Sequence, residues 1–213
     1  MKTTVLSALL FALVAITSLN AQPTITTSNA PEVGLGFPVG ICSDQPGLSE
    51  VEAELGPNQV WDYSSLNEVE QRQQLFLNPS TTEWATRYPA ANLCRAFADS
   101  VYEYFHLSQD SLSMVGSVLV EAADTLYLDY QNPELQYEIP SDFGDQATDV
   151  ASGNFFAPFE STTTVEVDGY GTLMLPNATY QNAVRIHSYS EFEPTVGEGS
   201  VTNRWTWMSA DYQ

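Results

Sequence analysis

Few residues in this chain are of the types that carry chemistry, and their spacing limits what they can do. There are 2 histidines, His106 and His187. His187 is followed by Ser188, but neighbouring strand residues point to opposite faces, so the two cannot form a nucleophile–base pair. No G-x-S-x-G elbow occurs, and both histidines read as ordinary sheet residues. With 27 acidic residues, carboxylate pairs are plentiful and individually uninformative. One cluster is denser: Asp142, Asp145 and Asp149 in SDFGDQATD. Clustered oxygens on a glycine-containing loop are what Ca²⁺ takes. The spacing is not that of an EF-hand and no bidentate Glu closes it, so a solvated acidic loop competes with a metal site. No other cofactor is implied.

Aromatic residues form a second set. Trp61, Trp84, Tyr102, Tyr104, Trp205 and Trp207 could offer a stacking platform to a sugar or an apolar ligand. Such side chains also bury large apolar areas and serve equally well as core. Cys42 and Cys94 could pair in an oxidising compartment, closing a loop of about 50 residues for roughly 4 kcal/mol. Two separate thiols are the alternative, and two cysteines so far apart hold no metal. Asn177-Ala178-Thr179 matches a glycosylation sequon, although Pro176-Asn177 reads more simply as a turn.

Strands must position these residues. Thr162 to His187 reads as a three-strand meander. Val165 and Val167 alternate with Glu166 and Asp168, and Asp168-Gly169 is a two-residue hairpin signal. Leu173 and Leu175 follow, Pro176-Asn177 stops the second strand, and Val184 and Ile186 face away from Arg185 and His187. Val201–Met208 is the last strand, with Trp205 and Trp207 on one face.

Earlier in the chain, Val60–Leu66 places Trp61 and Tyr63 as core anchors. Glu68–Leu77, Ser100–Leu107, Leu112–Val120, Thr125–Tyr130 and Glu134–Ile139 read as strands. Thr24–Thr27 reads as a short edge strand. Pro31–Gly40 and Pro140–Gly153 read as loops, and the glycines of the first do not form a dinucleotide fingerprint. Val51–Leu55 is one helical turn ended by Gly56-Pro57. Thr81–Tyr88 is the best helix, capped by Ser80 or Thr81 and stopped by Pro89. The whole predicts an all-β fold: an antiparallel sandwich or curved half-barrel with at most one or two short helices.

Residues 1–21 read as a secretory signal peptide. Lys2 precedes an apolar run from Val5 to Ile16, and a small-residue site ends at Ala21. The mature chain is then expected to begin at Gln22 and to form a single β-rich domain over 22–213, with no transmembrane span. The formal charge is −21. Lys2 leaves with the signal, so all mature basic residues are arginine: Arg72, Arg87, Arg95, Arg185 and Arg204. Such a surface repels nucleic acid and anionic lipid, which excludes both as partners.

Several runs carry a resemblance: Ala21-Gln22, WDYSSL at 61–66, PAANLC at 89–94, the paired YEYF and DSLSMVG strands, and GYGTLMLPNATYQNAVRIH at 169–187 followed by RWTW. Together they resemble a group of uncharacterised secreted proteins of Bacteroidetes-type bacteria, which usually precede a C-terminal type IX secretion sorting domain. The strand–Pro–strand grammar is also similar to that of curved-sheet lipoprotein-carrier-like domains. The resemblance implies export, with cell-surface or extracellular display; otherwise the location is periplasmic. It transfers no catalytic residue. The sorting domain is missing here, which implies a chain truncated at its C-terminus, and the abrupt end after the last aromatic strand reads the same way.

Three functions remain open. The first is a non-catalytic extracellular interaction module. The second is a binding protein holding a glycan or apolar ligand on an aromatic-lined concave sheet. The third is a secreted carboxylate-dependent hydrolase, which needs two carboxylates about 5–9.5 Å apart in a cleft.

Overall fold

A computed structural model describes residues 22–98 and 100–209. The expected signal peptide at 1–21 and the last four residues lie outside the described residues. The strands are β1 (Gly36–Cys42), β2 (Gly56–Asp62), β3 (Glu68–Leu77), β4 (Leu93–Phe97), β5 (Val101–Leu107), β6 (Ser111–Val120), β7 (Thr125–Glu138), β8 (Gln146–Phe155), β9 (Ala157–Leu175), β10 (Ala178–Pro194) and β11 (Ser200–Met208). The one α-helix among the described residues is α1 (Leu48–Ala53).

Ten strands form a single path, β1-β3-β4-β5-β6-β7-β8-β9-β10-β11, antiparallel throughout. β2 lies off this path and pairs with β9 in parallel. The sheet curls into a half-barrel, so of the expected all-β architectures the curved one is formed.

Alternation along the strands divides the residues between two faces. The inner face gathers one core from distant strands: Phe76, Leu93, Phe105, Leu112, Met114, Tyr137, Val165, Val167, Val184 and Ile186. The concave side is therefore filled. The outer face is covered in two places. Residues 78–92 fold over β4–β6, where Tyr88 stacks on Tyr104 with ring centroids 4.4 Å apart. Its hydroxyl donates to the Ser117 carbonyl (2.9 Å). Gly116 is needed beneath it, because a Cβ there would run into the Tyr88 ring. Residues 48–63 cover β9–β11, placing Trp61 and Tyr63 on Leu173 and Ala183.

Several local expectations are corrected. The chain does not turn at Asp168-Gly169, which lies inside the continuous strand β9. Neither residue has a positive φ. Opposite β10 the register instead slips between Arg185 and Ile186, leaving Asp168 as the extra residue of a β-bulge. Tertiary burial of Asp168 overrides the local turn preference. The hairpin turn is Pro176-Asn177 alone, with Leu175 paired to Ala178. The predicted helix at Thr81–Tyr88 is a short 3-10 segment, Pro79–Thr81, followed by turns. Asn78 caps it, accepting from the Ser80 amide.

The expected loops at Pro31–Gly40 and Pro140–Gly153 contain the start of β1 and most of β8. The two strands expected between Thr125 and Ile139 are one irregular strand, β7. At Thr24–Thr27 only Ile25 bridges, to Ser141. Cys42 and Cys94 are both free. They sit opposite Glu68 and Leu77, at the two ends of β3. At about 3.3 Å per residue that is roughly 30 Å, far beyond disulfide reach.

Candidate functional site

β9 changes its neighbour partway along its length. Over Ala157–Glu166 it pairs with β8, and over Gly169–Met174 with β2. Between them, on this edge, β9 bonds to the turn before β8: the Gly144 amide donates to the Val167 carbonyl (2.8 Å), and the Val167 amide to that of Asp145 (3.0 Å). The mismatch opens a cleft of about 490 Å³ on the outer face, within the usual range for small-ligand sites. One lip is Glu52, Leu55 and Gly56, and the other is Phe143 and Gly144. The floor is Glu166 and Asp168 on β9, His187 on β10 and Trp205 on β11.

Register explains why these floor residues meet. Glu166 pairs with His187, and His187 with Trp205, giving one row across three strands. His187 and Trp205 stack almost parallel, 6° between planes and 4.8 Å between centroids. The imidazole Nε2 also hydrogen-bonds Asn203 Oδ1 (2.9 Å). The Glu166 carboxylate has no hydrogen-bond or ion-pair partner among the described residues.

The next row repeats the same types and is covered. Arg185 pairs with Trp207 on one side and Gly169 on the other, beside the bulged Asp168. Arg185 is fully buried and all three guanidinium nitrogens are used. Nε and Nη2 donate to the two Asp168 oxygens (2.7 and 3.0 Å), and Nη1 donates to the Val51 carbonyl in α1 (2.8 Å). The guanidinium carbon lies 5.5 Å from the Trp61 ring centroid and 5.8 Å from that of Trp207. A buried charge is tolerated only with such pairing. α1 and β2 are thereby fastened over the row, helped by Tyr63, whose hydroxyl donates to Glu54 (2.8 Å). Burial and that carboxylate push the Tyr63 phenol far up.

The structure separates the candidate residues. Trp61 and Tyr104 are fully buried, and Trp207 packs edge-on against Trp61 and Tyr63. Trp84, within the 78–92 cover, packs on Tyr102 of β5, and both are half-buried. The concave side holds the core, so no aromatic platform lies there, and of this set only Trp205 reaches the cleft. Asp142 and Asp145 share one turn, the Asp145 carboxylate accepting from the Asp142 amide (2.8 Å). Asp149 instead accepts from the Leu135 amide (3.0 Å). Among the described residues no three His, Cys, Asp or Glu side chains gather to hold a metal. His106 is exposed and hydrogen-bonds the Ala90 carbonyl (3.0 Å).

Sequence reasoning missed Glu52, Glu166 and His187 as members of one site. The available signal was three alternating pairs, Glu166/Asp168, Arg185/His187 and Trp205/Trp207, each on one strand face. Compared with family models, curated proteins and solved structures, the chain matches none. No helix among the described residues is long and apolar enough to cross a membrane.

Proposed function

We propose that this chain is an exported, non-catalytic β-domain that binds a small extracellular ligand in the outer cleft. The observation that carries the reading is the cleft itself, with the half-buried Trp205 stacked on His187 among its lining residues. A fixed aromatic surface beside polar groups is what non-covalent recognition uses. Export and surface display are supported by the pattern of residues 1–21 and by the resemblance to secreted Bacteroidetes-type proteins. A hydrolase reading would have to rest on Glu52 and Glu166, because Asp168, the third carboxylate of the cleft, has both oxygens committed to Arg185.

The test is a panel of glycans, amino-acid amides and small organic ions screened by NMR on the full chain. The Trp205 indole signal is assigned by its loss in Trp205→Phe. At least one compound should shift that signal saturably, and Trp205→Ala should abolish its binding. A panel that leaves the indole unmoved would overturn the proposal. Export is checked separately: expression in a Bacteroidetes host should yield protein outside the cytoplasm beginning at Gln22, and an intact Met1 would count against it.

A further inference from the structure

We infer that the ligand presents a guanidinium cation to the cleft; this rests on reading the cleft as a ligand site. The molecule already contains one solved example of the problem. In the covered row a carboxylate, a guanidinium and an indole lie side by side, as Asp168, Arg185 and Trp207, with Trp61 as a second aromatic wall. Two residues along each strand, the open row repeats the carboxylate as Glu166 and the indole as Trp205. Its middle position holds an imidazole, and above it there is open space where the covered row has Trp61.

Charge favours the same ligand. Asp168 is neutralised by Arg185, whereas Glu166 and Glu52 have no cationic partner among the described residues. The remaining arginines are engaged elsewhere. Arg72, Arg87 and Arg95 pair with Glu70, Asp129 and Glu103. Arg204 faces the other side of β11 and donates to Gln136 (2.8 Å). Two unpaired carboxylates on one cleft attract a cation and repel an anion. An indole wall selects a planar, weakly hydrated cation over a compact metal ion, and a carboxylate accepts paired N–H bonds from its fork.

The experiment titrates the full chain with Nα-acetylarginine amide and with Nα-acetylcitrulline amide, its neutral isostere, by calorimetry and by the Trp205 indole signal. The arginine compound should bind at least about tenfold more tightly, and added NaCl should weaken it. Glu166→Gln and Glu52→Gln should each weaken it several-fold. Glu52 is exposed on α1, so its variant tests the charge without touching the core. Equal binding of the two compounds, or arginine binding unmoved by both variants, overturns the guanidinium assignment. So does a glycan that shifts Trp205 when the arginine compound does not, and in that case the ligand-site reading stands. If no compound of either set moves the indole, both fall.

Discussion

Arg185 keeps a full charge where water does not reach, and its side chain shows how tightly a single residue can be specified. Replacing it by Met would leave the Asp168 carboxylate buried without a counter-charge. The expected loss is about 3–5 kcal/mol, because removing one partner exposes the desolvation cost of the other. Urea unfolding measures it, and a loss below about 1 kcal/mol would mean that water enters the site. Cys94 is a second residue with a readable environment. Burial pushes its thiol from an ordinary 9.0 up to about 11, and burial likewise pushes Tyr104 up to about 12. Both groups stay neutral in the fold while the unfolded chain ionises first. Their stabilisation is therefore complete below about pH 9 and is lost as the pH rises towards 11 and beyond. The urea midpoint should fall between pH 8 and pH 10.5, and fall less in Cys94→Ala; an unchanged pH dependence in that variant would show that Cys94 is not the cause. Since Cys42 and Cys94 stand at opposite ends of β3, a thiol-specific reagent in denaturant should titrate both with and without prior reduction.

At the scale of elements, β9 joins three neighbours and sets where the cleft opens. β2 reaches it only because Gly171 lacks a side chain: a Cβ there would run into the Gln59 backbone. Gly171→Ala should therefore push β2 outward and loosen Trp61, with a red-shifted Trp emission and a cost of about 1–3 kcal/mol. Leu173, buried under Trp61 and Tyr63, should cost about 2–5 kcal/mol when cut to Ala; a value near that of a surface site, under about 0.5 kcal/mol, would contradict its packing. Much of this sheet was legible in the sequence. Alternation gave most strands, put Trp61 and Tyr63 in the core, and set Val184 and Ile186 on the face opposite Arg185 and His187. The cleft was not legible, for one physical reason. Asp-Gly prefers a tight turn locally, and at 168–169 that preference loses to a buried ion pair with Arg185, a residue 17 positions away. Once the chain is folded back there, Glu166, His187 and Trp205 never share a row. The false helix at 81–88 has a related origin: Trp84 and Tyr88 are spaced for a helix, yet are held by separate contacts to Tyr102 and Tyr104.

At the scale of the whole molecule, the formal charge of −21 acts on a sheet with a single interior core. Like charges over one compact body repel, and salt shortens their reach from roughly 30 Å at 0.01 M to about 3 Å at 1 M. The melting temperature should rise by several degrees between low and high NaCl; a fall would show that specific ion pairs outweigh the repulsion. The two faces of β10 carry a further consequence. Val184 and Ile186 belong to the interior, while Arg185 and His187 lie on the outer face of the sheet, the first covered by α1 and the second lining the cleft, so alternate residues answer to different demands. His187, with Glu166 and Trp205 beside it, can be exchanged without changing the volume of the core. Selection, or an engineer building a library at these three positions, can revise what this surface recognises while the folding instructions on the intervening residues stay as they are.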